Sequence, residues 1–272
     1  VEVVWFDGRF DPQVQLDQVE ALADQEWDFC AFQTHQTGLL EEPVKRLKKR
    51  NIPVISMDTL LVERHRLRDV GTWIQIAADH VAMAESSTRY LMEKIGGKGK
   101  VIHIGGASTH SGAQERDQGF QNVLKTYPEV EVHGGEVRWC DWDPKKARET
   151  FESLLEKSEE PIAGAFFHSD AMALASVPAL QGTRHEGMVI TGIDGQKEGL
   201  DGIQAGRIDA TVINPVCMIH MYALAIGQHI VRNEETLDEV PLEIICPSPL
   251  VAKEIGNLEA VYYLSDPSHC LY

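Results

Sequence analysis

The stretch "MVITGIDGQKEGLDGIQAGRIDATVINP", residues 188–215, decides the fold. "MVITGID" and "DATVINP" are short apolar runs of the kind that form strands buried on both faces, and "KEGLDGIQAG" between them reads as a helix. Two strands joined by one helix form a parallel β-α-β unit. Each run also breaks off at a polar residue, Asp194 in the first and Asn214 in the second. Ligands of open parallel sheets gather at the carboxyl ends of strands, so this stretch also indicates where the chemistry sits.

The same alternation extends in both directions. Upstream lie the strand "IAGAFFHSD", a helix "AMALASVPALQG" interrupted at Pro178, the strand "KVIHIGG", the helix "SGAQERDQGFQNVLKTYP", a strand "VEVHGGEVR", and the helix "DPKKARETFESLLEKS" opened by Asp143 and Pro144. The chain begins with a strand-like "VEVVWFD", then a helix with Asp11 as N-cap, Pro12 at its first position, and Leu16, Val19 and Leu22 on one face. Strands "DFCAFQT" and "IPVISMD" flank a short helix "EPVKRLKKRN". A long polar connection containing "ERHRLRD" leads to the helix "DHVAMAESSTRYLMEKIGG", which ends at glycines. Downstream come the long helix "CMIHMYALAIGQHIVRN" and the segment "PLEIICPSPLVAK". Continuous alternation predicts an α/β protein with parallel sheets covered on both faces. No Pro- or Ser-rich linker occurs, so two lobes must be joined through ordered structure.

A chain of 272 residues can bury one large core or two moderate ones, and two lobes are the expectation. The net charge of -17 argues against nucleic acid or an anionic membrane as partner and favours a neutral or cationic ligand. Cys30, Cys140, Cys217, Cys246 and Cys270 form no CxxC pair and read as buried small apolar residues. No apolar run is long enough to span a bilayer, and no cationic start followed by an apolar core marks a signal peptide in the given stretch, which is expected to be a processed form.

The residues that follow the strands are Gln33, Asp58, Arg116, Trp142, Ser169, Asp170, Asp194 and Asn214. Carboxylates accept from hydroxyls, a guanidinium donates through a planar fork, and an indole covers the apolar C–H face of a sugar ring. The set therefore suits a neutral polyhydroxylated ligand. Each residue also has a structural reading: Asp170 as a helix cap, Arg116 as a surface helix residue, Trp142 as a core lid, Asn214 as a turn residue before Pro215. Enzymatic signatures are absent: "GGASTHSG" lacks the spacing of a phosphate loop, there is no GxSxG or HExxH, and His103, His110 and His168 lack metal-ligand spacing. Asp58 and Asp194 could as a pair do acid-base work on a glycosidic bond, which the sequence does not distinguish from binding.

"DPQVQLDQVEALADQEWDFCAFQ", "IPVISMD", "QERDQGF", "HSDAMALAS", "VITGIDG", "IQAGRIDATVIN" and "PLVAK" occur in the order and spacing of a known family. Over nearly its whole length the chain resembles the sugar-binding periplasmic proteins of ATP-driven importers, close to the ribose-binding type and akin to the effector domains of lactose-repressor-like regulators. The resemblance implies a type I periplasmic-binding-protein fold: two Rossmann-like lobes, residues 1–78 with 215–246 and residues 79–214 with 247–257. They would be joined by a hinge of three crossovers near Ala78 and Asp79, Asn214 and Pro215, and Cys246 to Ser248. It places the pocket on Asp58, Arg116, Trp142, Ser169, Asp194 and Asn214, with Gln33 where ribose binders carry Asn. Thr59 stands in place of an Arg, Ser169 of an Asn and Trp142 of a Phe, so a hexose or polyol fits as well as a pentose.

The family's first strand precedes "VEVVWFD" and is missing from the sequence, leaving a vacancy expected between "VEVVWF" and "VISMD". The tail "AVYYLSDPSHCLY" resembles that strand and its binding loop. The expectation is that residues 258–272 fill the vacancy and bring His269 and Tyr272 to the ligand. The implied function is an extracytoplasmic solute-binding protein, periplasmic or lipoprotein-anchored with its signal segment outside the given chain. It would be monomeric, non-enzymatic and without cofactor or metal, capture a small sugar or polyol between its lobes, and serve an ABC permease or membrane sensor. The alternative is the ligand-sensing effector domain of a regulator or chemosensory system, and a glycoside-processing enzyme ranks third.

Overall fold

The computed structural model describes residues 2–266. In chain order the elements are α1 (Pro12–Leu22), β1 (Cys30–Phe32), α2 (Glu41–Lys49), β2 (Val54–Met57), α3 (Leu67–Val70), β3 (Thr72–Ala78), α4 (His80–Lys94), β4 (Lys98–Gly105), α5 (Ser111–Leu124) and β5 (Glu129–Val132). They continue with β6 (Arg138–Trp139), α6 (Pro144–Glu156), β7 (Gly164–Phe167), α7 (Asp170–Ser176), β8 (Val189–Thr191), α8 (Lys197–Ala205), β9 (Ala210–Val212), α9 (Val216–Asn233), β10 (Glu243–Cys246), β11 (Leu250–Ala252) and α10 (Leu258–Leu264).

Contacts divide the chain into two units. Unit 1 comprises the chain up to Ala77, Thr109–Gly112 and Val216–Cys246, and unit 2 the remainder of the described residues. Unit 1 carries a sheet of order β1-β2-β3-β10, with β1, β2 and β3 parallel. Side chains alternate between its faces. Cys30, Phe32 and Val54 join a core with α1, α2 and α3, while Ile55, Met57, Ile74 and Ile76 join one with α9. Unit 2 carries the order β11-β9-β8-β7-β4-β5, parallel except for β11, with β6 also bonded to β4. Ile102, Ile104, Ala165 and Phe167 face α6 and α7, whereas Val101 and Phe166 face α4 and α5. Local chemistry starts the helices as expected: Asp11 and Asp143 each accept two backbone N–H groups ahead of a first-turn proline.

Four expectations are corrected. Residues 2–7 of the "VEVVWFD" segment are not a strand: they pair with nothing as a ladder, and Val4, Trp5 and Phe6 are exposed. Extended backbone becomes a strand only beside a partner, and a cavity of 690 Å³ lies between this segment and β1, walled by Val19 and Leu22 of α1 and Ala223 and Leu224 of α9. The gap therefore adjoins β1 and not "VISMD", because β2 is paired on both sides by β1 and β3. The described part of the tail, residues 258–266, does not fill it. Leu258–Leu264 is a helix, Val261 sits in the core of unit 2, and the Tyr262 hydroxyl donates to Asp201 of α8 at 2.6 Å. The apolar face of "LEAVYYL" is satisfied by helix packing, which needs no ladder. His269 and Tyr272 lie outside the described residues.

Third, "TWIQIAA", residues 72–78, lies where the sequence shows only a polar connection leading to α4, yet it is a strand, β3. It is the longest strand of unit 1, with every residue buried. Gln75 interrupts the apolar run and obscured it, yet it is fully buried inside the sheet. Fourth, "VEVHGGEVR" is two strands, because Gly134 and Gly135 both adopt positive φ and turn the chain between β5 and β6. Among the described cysteines none is disulfide-bonded; Cys30, Cys140 and Cys246 are buried, and burial pushes the Cys30 thiol up to about 12. No helix among the described residues is long and apolar enough to cross a membrane.

Candidate functional site

Polar side chains gather at the carboxyl ends of the strands in each unit. In unit 1, Asp58 follows β2 in a left-handed conformation, φ 57°, and is buried. The turn that holds it is closed by the Thr59 hydroxyl donating to the Thr34 carbonyl at 2.7 Å and the Ser56 hydroxyl donating to the Thr59 carbonyl at 3.0 Å. Gln33, at the end of β1, donates its amide to Asp58 Oδ2 at 3.0 Å. The Gln33 carbonyl in turn accepts from Gln15 of α1 at 2.9 Å. Thr59 is thus spent on the backbone.

In unit 2 the centre is Arg116 of α5, which is 3% exposed. Its guanidinium donates to the His168 carbonyl, pairs with Asp194 Oδ1 at 3.2 Å, and reaches His80 Nδ1 of α4 at 3.4 Å. The Trp142 ring lies over the same guanidinium, 5.4 Å from its carbon to the ring centroid. Asp194 and Trp142 both follow strands with positive φ, 118° and 61°. With Asp58, three of the eight non-glycine residues with positive φ among the described residues carry candidate side chains, where such strain tends to collect.

Beneath Arg116 lies a buried histidine pair. His168 Nδ1 accepts the Gly106 N–H at 3.3 Å, and its Nε2 meets His103 Nε2 at 2.9 Å. A neutral imidazole carries one N–H. This assigns the His168 proton to Nε2, donating to His103, and the His103 proton to Nδ1, which faces Asp117 Oδ1 at 3.7 Å. Burial pushes the His103 pKa down to about 3, and burial likewise raises that of Asp117.

The structure brings Gln33 together with Asp58, and Arg116 with Trp142 and Asp194. Asn214 joins Asp194 through its backbone, donating its N–H to the Asp194 carbonyl at 3.0 Å. Ser169 is the N-cap of α7, accepting the Met172 N–H at 3.5 Å. That corrects the reading of Asp170 as a cap: Asp170 is the first helical residue and turns its carboxyl group inward. His80 and His168 were not selected from the sequence as partners of Arg116. The only available signal was that His168 immediately precedes a strand-end cap in "FFHSD". No cluster among the described residues could hold a metal ion.

One glycine sets the place of the indole. A Cβ on Gly106 would overlap the six-membered ring of Trp142. Gly106→Ala is expected to push the ring off Arg116 and to cost about 1–3 kcal/mol of stability, as overpacking does. Chemical denaturation measures this, and a variant as stable as the parent would show that the indole has room to move.

Comparison with known proteins supplies the context. The periplasmic binding protein domain family matches residues 1–235. A xylitol-binding protein of Mycolicibacterium smegmatis is 25% identical over 235 residues, 86% of this chain and 65% of that protein, so the chain spans under two thirds of its length. The ribose import binding protein of Haemophilus influenzae is 23% identical over 243 residues, covering 89% of this chain and 80% of that protein. An ABC transporter solute-binding protein of Bacillus halodurans, solved with bound myo-inositol, superposes with a TM-score of 0.84 at 18% identity, covering 100% of this chain and 87% of that one.

Proposed function

The chain belongs to the periplasmic binding protein domain family, and from that premise we propose that it captures a small sugar or polyol outside the cytoplasm and delivers it to an ATP-driven importer. The observation that carries this reading is the strand-end cluster of unit 2, where a carboxylate, a guanidinium and an indole share one patch. The bonds of Arg116 to His168, Asp194 and His80 engage three of its N–H groups, and a guanidinium has five. The others suit hydroxyl oxygens. Asp194 accepts from hydroxyls, and Trp142 covers a C–H face.

Ser169 and Asn214 are further proposed contacts of unit 2, and the Gln33–Asp58 pair is a proposed hydroxyl-binding group of unit 1 taken by itself. The net charge of -17 favours a neutral solute over an anionic one. The relatives named for xylitol and ribose bring sugars and sugar alcohols to the reading. Membrane attachment as a lipoprotein and a permease partner belong to the same proposal, as does action as a monomer without turnover.

A thermal-shift panel of pentoses, hexoses, pentitols and inositols tests the reading. A solute at ~100 times its dissociation constant is expected to stabilise the protein by about 2.7 kcal/mol. The bound solute should be recovered unchanged after hours with stoichiometric protein. Absence of a shift across the panel would overturn the sugar reading, and conversion of the solute would replace a binder with an enzyme.

A further inference from the structure

Asp170 is fully buried, yet neither caps its helix nor lies among the proposed contacts. Its Oδ1 accepts the Thr211 hydroxyl at 2.7 Å, and its Oδ2 accepts the Gln196 N–H at 3.2 Å. Thr211, on β9, uses the same hydroxyl to accept the Gly195 N–H at 3.2 Å. Two successive peptide groups immediately after Asp194 are thereby tied to one buried carboxyl-hydroxyl pair. The backbone of Asp194 itself is fixed by its N–H donating to the Val212 carbonyl at 2.9 Å and its carbonyl accepting from Asn214 at 3.0 Å.

The glycines of "GIDGQKEG" are explained by this arrangement. A Cβ on Gly192 or on Gly199 would overlap the carboxyl oxygens of Asp170, and one on Gly195 would overlap the Ile213 side chain. The turn closes tightly around the Asp170 carboxyl group. Asp194 is held at φ 118°, a conformation that costs a non-glycine residue about 1–3 kcal/mol and persists only where the surroundings overdetermine it.

We propose that Asp170, acting with Thr211, is a positioning residue for solute recognition: it holds the strand-end turn so that Asp194 presents its carboxylate beside Arg116. The inference rests on the reading of Asp194 as a solute contact. It adds to that reading a residue that touches no solute yet sets affinity through another side chain.

The test uses Thr211→Val, which keeps the shape and removes the hydroxyl, and Asp170→Ala, which removes the carboxyl group. The first keeps the proposal testable where the second fails to fold. Two quantities are measured: amide hydrogen exchange at Gly195 and Gln196, and affinity for D-ribose, xylitol and myo-inositol by calorimetry. Each variant is expected to speed exchange at those two amides, leaving β7 unchanged, and to weaken the best-bound probe by about tenfold, the scale of one buried hydrogen bond. In an Asp194→Ala background the further loss should vanish, because there is nothing left to position. Losses that add in full to that of Asp194→Ala, or unchanged exchange at Gly195 and Gln196, overturn the proposal. If the parent protein binds none of the three probes, the solute reading fails at these probes. Exchange then decides the clamp alone: acceleration supports it, and no change overturns it.

Discussion

Arg116→Ala is expected to destabilise unit 2 by about 3–5 kcal/mol and to remove sugar binding, the scale found when one member of a buried ion pair is deleted. The loss has a specific origin. Arg116 is the shared donor for the His168 carbonyl, His80 Nδ1 and the Asp194 carboxylate, and it underlies the Trp142 ring. Alanine removes one donor from each of those acceptors at a position that is 3% exposed, so the cost is mainly lost solvation of the acceptors and not the worth of the pair itself. Lysine should recover only part of the loss, because an ammonium keeps the charge but cannot reproduce a planar fork. Urea denaturation of Arg116→Ala and Arg116→Lys measures the first effect, and calorimetry with the sugar identified by thermal shift measures the second. Equal stability of parent and Arg116→Ala would remove the guanidinium from the centre of the unit.

The second large effect is a loss of stability in acid that traces to His103. Its folded pKa of about 3 lies below the unfolded value of about 6.5, so between the two the unfolded chain binds the extra proton. The contribution of the neutral imidazole is complete above the unfolded pKa and is lost as pH falls through the window from about 6.5 to 3, on the order of 5 kcal/mol in full. Asp170 and Asp117 act in the opposite sense. Their folded pKa values are raised, so their contributions are largest in acid and decline as pH rises. The assignment is therefore read from a difference. His103→Phe sets an aromatic ring beside Phe120 and Phe166, whose rings stand 4.1 and 5.3 Å from the imidazole, and removes the titrating group at the cost of the bond to His168, a loss common to every pH. Denaturation at pH 7, 5.5 and 4.5 should show the parent losing stability relative to the variant at each step. Parallel profiles would show that the acid sensitivity arises elsewhere.

The order of elements was legible in the sequence because it is written in short-range terms. The periods and caps that mark α1, α4, α6 and α9, and the apolar runs of β2, β4, β7 and β9, need only neighbours a few residues away. Candidate site residues were legible for a related reason. The polar residue that ends a parallel strand is visible as a break in the apolar run, and Asp58 and Asp194 were found that way. Where the same logic was applied to a segment whose state depends on a distant partner, it failed. "VEVVWFD" has the composition of a strand but no ladder beside it, and "AVYYL" has the composition of a strand but becomes α10 because the surface of α8 accepts its apolar side. "TWIQIAA" was missed for the converse reason: a buried glutamine looks like a surface residue until the sheet closes on both sides of it.

By itself, then, the sequence determined the α/β class, the capped helices, the parallel strands, and the resemblance that pointed to periplasmic sugar-binding proteins. Only the tertiary structure decided which strands found partners, that Ser169 and not Asp170 caps α7, and that Arg116 is held by His80, His168 and Asp194. The physical reason is the range of the forces involved. Helix caps and hydrophobic periods act between residues near in sequence, whereas a ladder hydrogen bond, a buried ion pair and the direction of a buried carboxyl group are fixed by residues tens of positions apart. Their partners exist only once the sheet has brought them within about 3 Å.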